Sequence, residues 1–277
     1  MPMRERNNFN LGIVVFIRKN ENIFSKPQKY KLKYAQLINW EPKLWEEIDP
    51  IRLREDAKKH EIQVNSFWVG YSGPIQWNFN EGPSTIGIVP PEYREMRTKE
   101  LLAGANFASK FGARAIVTHL GFLPENPKDP QYPEIVNTVK RIATRCQELG
   151  IEFWFETGQE TPVTLLRLIE DVGLENLGIN LDPANLILYG KANPVDALDV
   201  FGKYVKSLHI KDGFYPTNGR ELGKEAIPGK GKVNFPALIN GLKSLNFKGD
   251  LIIERELKGG DADRDILSTI KYLESMI

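Results

Sequence analysis

The sequence predicts an α/β fold, a single (β/α)8 TIM barrel in which residues 1–277 form one domain. Eight short apolar segments recur along the chain, and stretches of helical periodicity lie between them. Several segments are apolar on both faces, which is typical of strands in a covered parallel sheet. The length of 277 residues also fits a barrel. A doubly wound sheet is the alternative, but it gives no reason for eight repeats.

The apolar segments are predicted to be the eight strands of the barrel. In chain order they are LGIVVF (11–16), YAQLINW (34–40), IQVNSFWV (62–69), RAIVTHLGF (114–122), IEFWFETG (151–158), LGINLDPAN (177–185), VKSLHIKDG (205–213) and DLIIERE (250–256). The first segment follows the basic stretch MPMRER, as in a signal peptide. We predict a strand there, because the apolar run is short and RKNEN follows it instead of a small-residue cleavage site.

The predicted helices lie between the strands. In residues 133–149, apolar side chains recur at helical spacing, and Cys146 is expected to be a small core residue of that helix. The next helix is expected to have Thr161 as its N-cap, a proline in its first turn and Gly173 just beyond its end. Further helical stretches are residues 22–31, 42–60, 100–111 and 266–276.

The amino-acid composition indicates which classes of binding partner are not expected. The chain has 37 Lys and Arg residues against 36 Asp and Glu residues, so a polyanion partner such as nucleic acid is not expected. The single cysteine cannot form an internal disulfide, which fits a reducing compartment. No apolar stretch approaches the length of a membrane span. We expect a cytoplasmic protein that binds neither nucleic acid nor membranes.

Two connections between predicted strands and helices are long. Residues 70–91 include Tyr71, Trp77 and Phe79, and residues 214–232 include the stretch GRELGKEAIPGKGK. Both follow strands, so in a barrel both lie on the C-terminal face, where active sites are built. Each connection is either a lid over a substrate or an ordinary surface loop.

Four polar side chains end four consecutive predicted strands: Glu156, Asp182, His209 and Glu254. In a barrel these strand ends are neighbours on one rim. Three carboxylates held close together repel one another unless a cation supplies the missing positive charge. The oxygen and nitrogen donors suit Mn²⁺, Mg²⁺, Co²⁺ or Zn²⁺, so we predict one divalent metal ion. Glu256 shares the strand parity of Glu254, but Glu254 lies deeper and is the predicted ligand.

Each of these residues also has an ordinary structural alternative. Glu156 could pair with Arg114 or Lys211, and Asp182 could cap the following helix. A histidine at a strand end is more often a structural residue than a ligand. The coincidence of all four residues at matching strand ends favours the metal site.

At these residues the sequence resembles the xylose isomerase-like TIM barrel superfamily, in particular the sugar phosphate isomerase/epimerase family that includes ketose 3-epimerases and inosose dehydratases. The motifs that carry the resemblance are FET (155–157), NLDPANL (180–186), HIKDG (209–213), PGKGKVNF (228–235) and LIIERE (251–256). The resemblance covers nearly the whole chain.

The resemblance implies one catalytic divalent metal ion, often Mn²⁺, held by Glu156, Asp182, His209 and Glu254. It also implies that Glu156 and Glu254 act as acid and base on opposite faces of a sugar or polyol, and that the protein forms a homodimer or homotetramer. A metal that bridges a carbonyl and the adjacent hydroxyl acidifies the C–H bond between them and stabilises an enediolate.

These implications lead to an expected function with two alternatives. We expect a metal-dependent sugar isomerase or epimerase of carbohydrate metabolism. An inosose or keto-sugar dehydratase is the first alternative, because loss of a β-hydroxyl from the same enediolate gives dehydration. A non-catalytic sugar-binding barrel is an alternative of another class.

The sequence departs from the ketose 3-epimerases at three substrate contacts. Asn185 stands where they carry histidine, Pro162 where they carry a second glutamate, and Tyr215 where they carry arginine. The resemblance therefore favours a different polyol, keto-sugar or sugar derivative over a free ketose.

Six residues are candidate substrate contacts, namely Trp68, Trp77, His119, Asn185, Lys211 and Lys230. The tryptophans could stack on a sugar face or pack in the barrel rim. His119 could donate a hydrogen bond to substrate or cap a loop carbonyl. Lys211 could bind an anionic group or form a salt bridge to Glu156 or Glu256. Lys230 could contact a phosphate, although PGKGK is not a P-loop.

Overall fold

The computed structural model describes residues 9–256 and 261–277, and the described strands confirm the predicted barrel. Eight parallel strands close it in the order β1-β2-β3-β4-β5-β6-β7-β10. They are β1 (Asn10–Phe16), β2 (Tyr34–Asn39), β3 (Gln63–Val69), β4 (Ala115–Thr118), β5 (Glu152–Glu156), β6 (Leu177–Leu181), β7 (Val205–Ile210) and β10 (Asp250–Ile253). The remaining two strands, β8 (Asp212–Phe214) and β9 (Lys224–Ala226), form a separate antiparallel hairpin.

The last five barrel strands end earlier than the sequence predicts, by two to four residues. The predicted segments include the residues that follow the last ladder hydrogen bond, where the chain turns away from the barrel at the rim. After β6, for example, Asp182 already caps a helix that begins at Pro183. Asp182 and Glu254 therefore lie immediately beyond their strands, on the rim itself.

Helices surround the barrel and bury their apolar faces against it. They are α1 (Ser25–Lys29), α2 (Leu44–Glu47), α3 (Pro50–Lys59), α4 (Gly82–Thr85), α5 (Pro91–Phe111), α6 (Tyr132–Glu148), α7 (Pro162–Val172), α8 (Pro183–Leu188), α9 (Pro194–Phe201), α10 (Phe235–Ser244) and α11 (Ala262–Glu274). Both predicted ends of α7 are confirmed. The Thr161 hydroxyl caps the helix by accepting a hydrogen bond from the N–H of Thr164, and Gly173 follows the last turn with a left-handed φ of 65°. None of the described helices is both long and apolar enough to cross a membrane.

Two apolar layers hold these elements together. The larger one lies between the strands and the helices, and it contains Cys146 on α6 as a fully buried small side chain. The smaller one fills the barrel interior with Val14, Ile38, Trp68, Ala115, Val117, Trp154 and Ile252. This inner layer is the floor below the polar side chains of the C-terminal rim.

The connection after β3 is held by one buried guanidinium group. Arg97, on α5, is fully buried and donates hydrogen bonds to the carbonyl oxygens of Ser72, Pro74, Thr85 and Gly87. Its guanidinium carbon also lies 4.5 Å from the ring centroid of Tyr71 and 4.6 Å from that of Tyr93. These contacts favour a fixed wall over a moving lid for this connection.

The connection after β7 is organised around a buried carboxylate. Asp212 accepts hydrogen bonds from the N–H groups of Gly213, Gly229, Gly231 and Val233 at 2.8–3.0 Å. A Cβ atom on Gly231 would lie 2.1 Å from the Asp212 Oδ1 atom, so this position requires glycine. The PGKGK stretch is thus a carboxylate-bound loop.

Replacing Asp212 with alanine is expected to lower the free energy of unfolding by about 3 kcal/mol, because four backbone donors lose a charged acceptor. Chemical denaturation measures this change. The control is Lys230→Ala, an exposed substitution in the same loop that should change stability by less than about 0.5 kcal/mol. Equal stability of Asp212→Ala and wild type would show that the carboxylate does not hold the loop.

Candidate metal centre

The four side chains predicted to bind metal meet on the C-terminal rim of the barrel. Glu156, Asp182, His209 and Glu254 are all buried, and one ligand atom from each lies within 4.8 Å of every other. The Nδ1 atom of His209 is central, at 3.2 Å from a Glu254 oxygen, 3.3 Å from a Glu156 oxygen and 3.6 Å from Asp182 Oδ2. Consecutive barrel strands thus bring together residues that are up to 98 positions apart in the sequence.

A buried hydrogen-bond network fixes the orientation of the His209 imidazole. The Gln36 amide nitrogen donates to Ser66 Oγ at 3.0 Å and to Asn180 Oδ1 at 3.3 Å, so the Gln36 oxygen is left as an acceptor. That oxygen lies 2.8 Å from His209 Nε2, and because it can only accept, we assign Nε2 as the donor; the Asn180 amide nitrogen lies 3.1 Å from the same Nε2 atom. In the neutral ring, Nδ1 then carries the lone pair and faces the three carboxylates, as a metal-binding histidine does.

Two buried polar atoms of the cluster have no hydrogen-bond partner among the described residues. They are Asp182 Oδ2 and His209 Nδ1. Buried polar atoms are rarely left unpaired in native proteins, and both of these point to the centre of the cluster. Three carboxylates and one imidazole are an oxygen and nitrogen donor set that fits a divalent cation. The cluster can therefore bind one divalent metal ion.

The electrostatics of the cluster also indicate a deficit of positive charge. Burial alone would lower the pKa of His209, but the carboxylates of Glu254 and Glu156 raise it well above its ordinary value. Burial would raise the pKa of Glu254, but Lys211 and His209 lower it below its ordinary value. The carboxylates thus favour cationic neighbours, and a divalent ion would supply that charge more directly than a proton on His209.

Asp182 has both of the roles considered for it. Its Oδ1 atom accepts from the N–H of Asn185 at 2.8 Å and caps α8. Its Oδ2 atom faces the cluster and lies 3.5 Å from Lys211 Nζ. The helix cap therefore fixes the rotamer that presents the second oxygen to the centre.

Glu156 is surrounded by uncharged donors and by imidazoles. The indole N–H of Trp68 donates to Glu156 Oε2, and the Asn185 amide donates to Oε1 at 3.4 Å. His119 Nε2 lies 3.6 Å from the same Oε1 atom. Arg114, which the sequence offered as a partner, pairs with Glu152 instead at 2.9 Å.

A cavity of about 350 Å³ opens above the cluster, and it contains five of the six predicted substrate contacts. Trp68, Trp77, His119, Asn185 and Lys211 line it. Lys230 does not, because the carboxylate-bound loop holds it on the exposed surface of the protein. The rings of Trp77 and His119 lie 5.2 Å apart, so both flank the same side of the cavity.

Of the two salt bridges offered as the alternative to substrate binding, Lys211 forms the one to Glu256. Its ammonium lies 3.1 Å from Glu254 and 2.5 Å from Glu256, in addition to its contact with Asp182. Burial would lower the pKa of Lys211, but the charges of Glu254 and Glu256 raise it well above its ordinary value. Glu256 is thus a third carboxylate that contacts this lysine, after Asp182 and Glu254.

Sequence reasoning missed several residues of the site. Gln36 holds His209, Trp40 packs on Trp68 with 4.4 Å between ring centroids, and Gln159 and Tyr189 line the cavity. Gln36 could have been identified as a polar residue at an inward-facing position of an otherwise apolar strand. The signal for Gln159 was its position three residues after Glu156.

The model of the xylose isomerase-like TIM barrel family matches residues 28–276. The chain belongs to this family. A solved family protein, the xylose isomerase domain protein of Planctomyces limnophilus, is 32% identical, covers 97% of each chain and has a TM-score of 0.90. The sequence-based resemblance is thereby confirmed.

Two more distant structures share the fold of the family. A D-psicose 3-epimerase is 16% identical with a TM-score of 0.70, and the coverage is 96% of this chain and 99% of the other. The 3-keto-D-glucoside 4-epimerase of E. coli is 15% identical with a TM-score of 0.71, and the coverage is 97% and 100%.

Curated relatives match over part of their length. An uncharacterised protein of Methanocaldococcus jannaschii is 26% identical over 60% of this chain and 59% of its own length. The inosose dehydratase of Lacticaseibacillus casei is 22% identical over 53% of this chain and 55% of its own length. The chain thus spans between half and three-fifths of the length of these two relatives.

The contact between Gln36 and His209 leads to a prediction about metal affinity. Gln36→Met keeps the side-chain volume but removes the acceptor of His209 Nε2–H, so the dissociation constant for Mn²⁺ should rise about 10- to 100-fold. Titration calorimetry with Mn²⁺ measures it. Gln63→Met, an exposed substitution on β3, is the control and should bind as wild type does. Unchanged affinity in Gln36→Met would refute a role of this contact in metal binding.

Proposed function

We propose that the protein is a divalent-metal-dependent sugar isomerase or epimerase that removes a proton from a carbon next to a carbonyl group. One observation carries the proposal. The buried cluster of three carboxylates and His209 has two unpaired polar atoms at its centre, and two of its carboxylates, Glu156 and Glu254, line an open cavity. A barrel that only binds sugars gains nothing from holding buried carboxylates so close together.

The chemistry combines a metal ion with side chains that move protons. When bound by Glu156, Asp182, His209 and Glu254, a divalent ion, which we propose to be Mn²⁺, would polarise a substrate carbonyl and the adjacent hydroxyl and acidify the C–H bond between them. The remaining requirements are a base for that proton and an acid that returns it.

Glu156 and Glu254 are the proposed acid and base. Both line the cavity, and they approach His209 Nδ1 from two different strands at nearly equal distances. Each carboxylate is held by a separate donor, Trp68 for Glu156 and Lys211 for Glu254. One glutamate takes the proton and the other returns it, which inverts the carbon if they act on opposite faces of the substrate.

The aromatic side of the cavity suits a sugar ring. The Trp40 ring centroid lies 4.4 Å from that of Trp68 and 6.1 Å from that of Trp77, and Trp77 is 41% exposed. Indole faces pack well against the C–H faces of sugars, and the edge of His119 beside Trp77 adds a polar group. We propose Trp77, His119 and Asn185 as substrate contacts.

A metal-dependent dehydratase acting on an inosose or another keto-sugar is the second candidate. It is favoured by the three positions at which the chain departs from the ketose 3-epimerases, Asn185, Pro162 and Tyr215. An inosose dehydratase is also among the relatives of the chain. Both candidates begin with the same proton abstraction.

Deuterium exchange tests the shared step. We expect the Mn²⁺-loaded protein in D₂O to introduce deuterium into at least one member of a set of ketoses, keto-inositols and sugar phosphates, as measured by mass spectrometry. Glu254→Gln and Glu156→Gln should slow this exchange at least 100-fold, because each removes a proton-transferring carboxylate. A product lighter by one water would identify the dehydratase.

The controls separate chemistry from metal loss. Glu170→Gln changes an exposed carboxylate on α7 and should exchange at the wild-type rate. The metal content of every variant is measured on the same sample. Absence of exchange in all compounds, in wild-type protein that holds one metal ion per chain, would contradict the proposed reaction.

A further inference from the structure

The wall of the cavity carries unpaired polar groups in addition to those of the metal centre. Gln159 is 1% exposed, and neither its amide oxygen nor its amide nitrogen has a hydrogen-bond partner among the described residues. Tyr189 is 5% exposed, and its hydroxyl is a neighbour of the Gln159 amide but makes no hydrogen bond of ordinary geometry there. Both residues line the cavity. Buried polar groups without partners are rare, and a ligand that fills the cavity would satisfy them.

These two residues are attached to the elements that carry the metal centre. Gln159 follows Glu156, the last residue of β5, by three positions, and Tyr189 is the C-cap of α8, the helix that Asp182 begins. The Tyr189 ring lies 6.0 Å from that of Phe79 and 5.8 Å from that of Phe122. Gln159 and Tyr189 are therefore held at a fixed distance from the reacting groups.

The charges around the cavity favour an uncharged ligand. Among the described residues that line it, Lys211 is the one with a cationic side chain, and its ammonium lies within 3.5 Å of Asp182, Glu254 and Glu256. Together with Glu156 they make four carboxylates, which exceed the three positive charges of Lys211 and a divalent ion. A phosphate or carboxylate group on the ligand would therefore meet no excess of positive charge.

Gln159 and Tyr189 match an uncharged ligand in chemical type. A primary amide offers two N–H donors and an acceptor, and a phenol offers one donor and one acceptor. Such groups pair with hydroxyls, which both donate and accept, whereas phosphate sites are built from cationic side chains or clustered backbone N–H groups.

We propose that Gln159 and Tyr189 form a hydroxyl-binding subsite that selects an uncharged polyhydroxy substrate over its phosphate ester. This inference rests on the proposed function, since it names the substrate class of the same cavity. Tyr189 and Gln159 would bind hydroxyls away from the carbon that loses its proton, and so orient the ring of the substrate over the metal centre.

The test compares uncharged ligands with charged counterparts. The probes are D-fructose, D-psicose and a keto-inositol, with fructose 6-phosphate and psicose 6-phosphate as the charged pair. Affinity for the Mn²⁺-loaded protein is measured by calorimetry, and deuterium exchange is measured on the same samples. We expect an uncharged probe to bind more tightly than the phosphate esters, and Tyr189→Phe and Gln159→Leu each to weaken its binding about three- to tenfold.

Matched substitutions outside the cavity provide the controls. Tyr204→Phe and Gln147→Leu make the same chemical changes at positions that do not line the cavity, and they should leave affinity unchanged. Thermal unfolding of all four variants shows whether the fold is intact, and Tyr189→Phe, which removes a single oxygen atom, still tests the subsite if Gln159→Leu fails to fold.

The outcomes separate the subsite from the reaction. Tighter binding of a phosphate ester, no binding of any uncharged probe, or binding that neither cavity substitution weakens would overturn the subsite. If any probe, charged or uncharged, exchanges deuterium in these cases, the proposed function stands without the subsite. Binding that depends on Tyr189 and Gln159 without exchange in any probe would support the subsite and contradict the proposed reaction.

Discussion

The repulsion among Glu156, Asp182 and Glu254 is the interaction on which the C-terminal rim depends. Three buried carboxylates within 4.8 Å of one another are stable only where positive charge is close. Lys211 supplies part of it from one side, through contacts with Asp182 and Glu254. The Nδ1 lone pair of His209 adds a fourth donor, and the arrangement as a whole is that of a ligand set for a divalent cation.

The barrel holds this costly arrangement by distributing its supports over several strands. Gln36 on β2 fixes the His209 ring, and its own amide is fixed by Ser66 on β3 and Asn180 on β6. Trp68 on β3 binds Glu156 across the interior. Because the supports come from opposite sides of the closed sheet, the geometry of the site depends on correct closure of the whole barrel. The tightly packed apolar layer inside the barrel keeps the sheet closed, and the closed sheet keeps the polar side chains of the rim in place.

The sequence was sufficient to predict the barrel and the residues that converge on the rim. Each strand has its own apolar run, and parallel strands place their last residues on one face, so the positions of Asp182 and His209 alone imply that they are neighbours. The strand ends could not be predicted, because the last ladder hydrogen bond depends on pairing with the neighbouring strand. Residues Asp182 to Asn185 were included in the predicted strand, although Asp182 caps a helix that begins at Pro183.

The sequence alone does not predict which side chains form hydrogen bonds with the residues that converge on the rim. Gln36 reaches His209 across the closed barrel, and pairing of that kind depends on the register between strands that are distant in the sequence. The PGKGK stretch offered Lys230 as a phosphate contact on its glycines and lysines alone, although it is not a P-loop. The determinant was the Asp212 carboxylate, which turns the N–H groups of the loop inward and leaves Lys230 on the surface.

A crystal structure of the protein grown with Mn²⁺ tests most directly whether one divalent ion completes the rim. An anomalous difference map at the manganese edge should show a single peak about 2.0–2.3 Å from His209 Nδ1 and from carboxylate oxygens of Glu156, Asp182 and Glu254. An empty rim, with the protein saturated in Mn²⁺ and His209 in contact with the carboxylates alone, would show that these four residues are not a metal site.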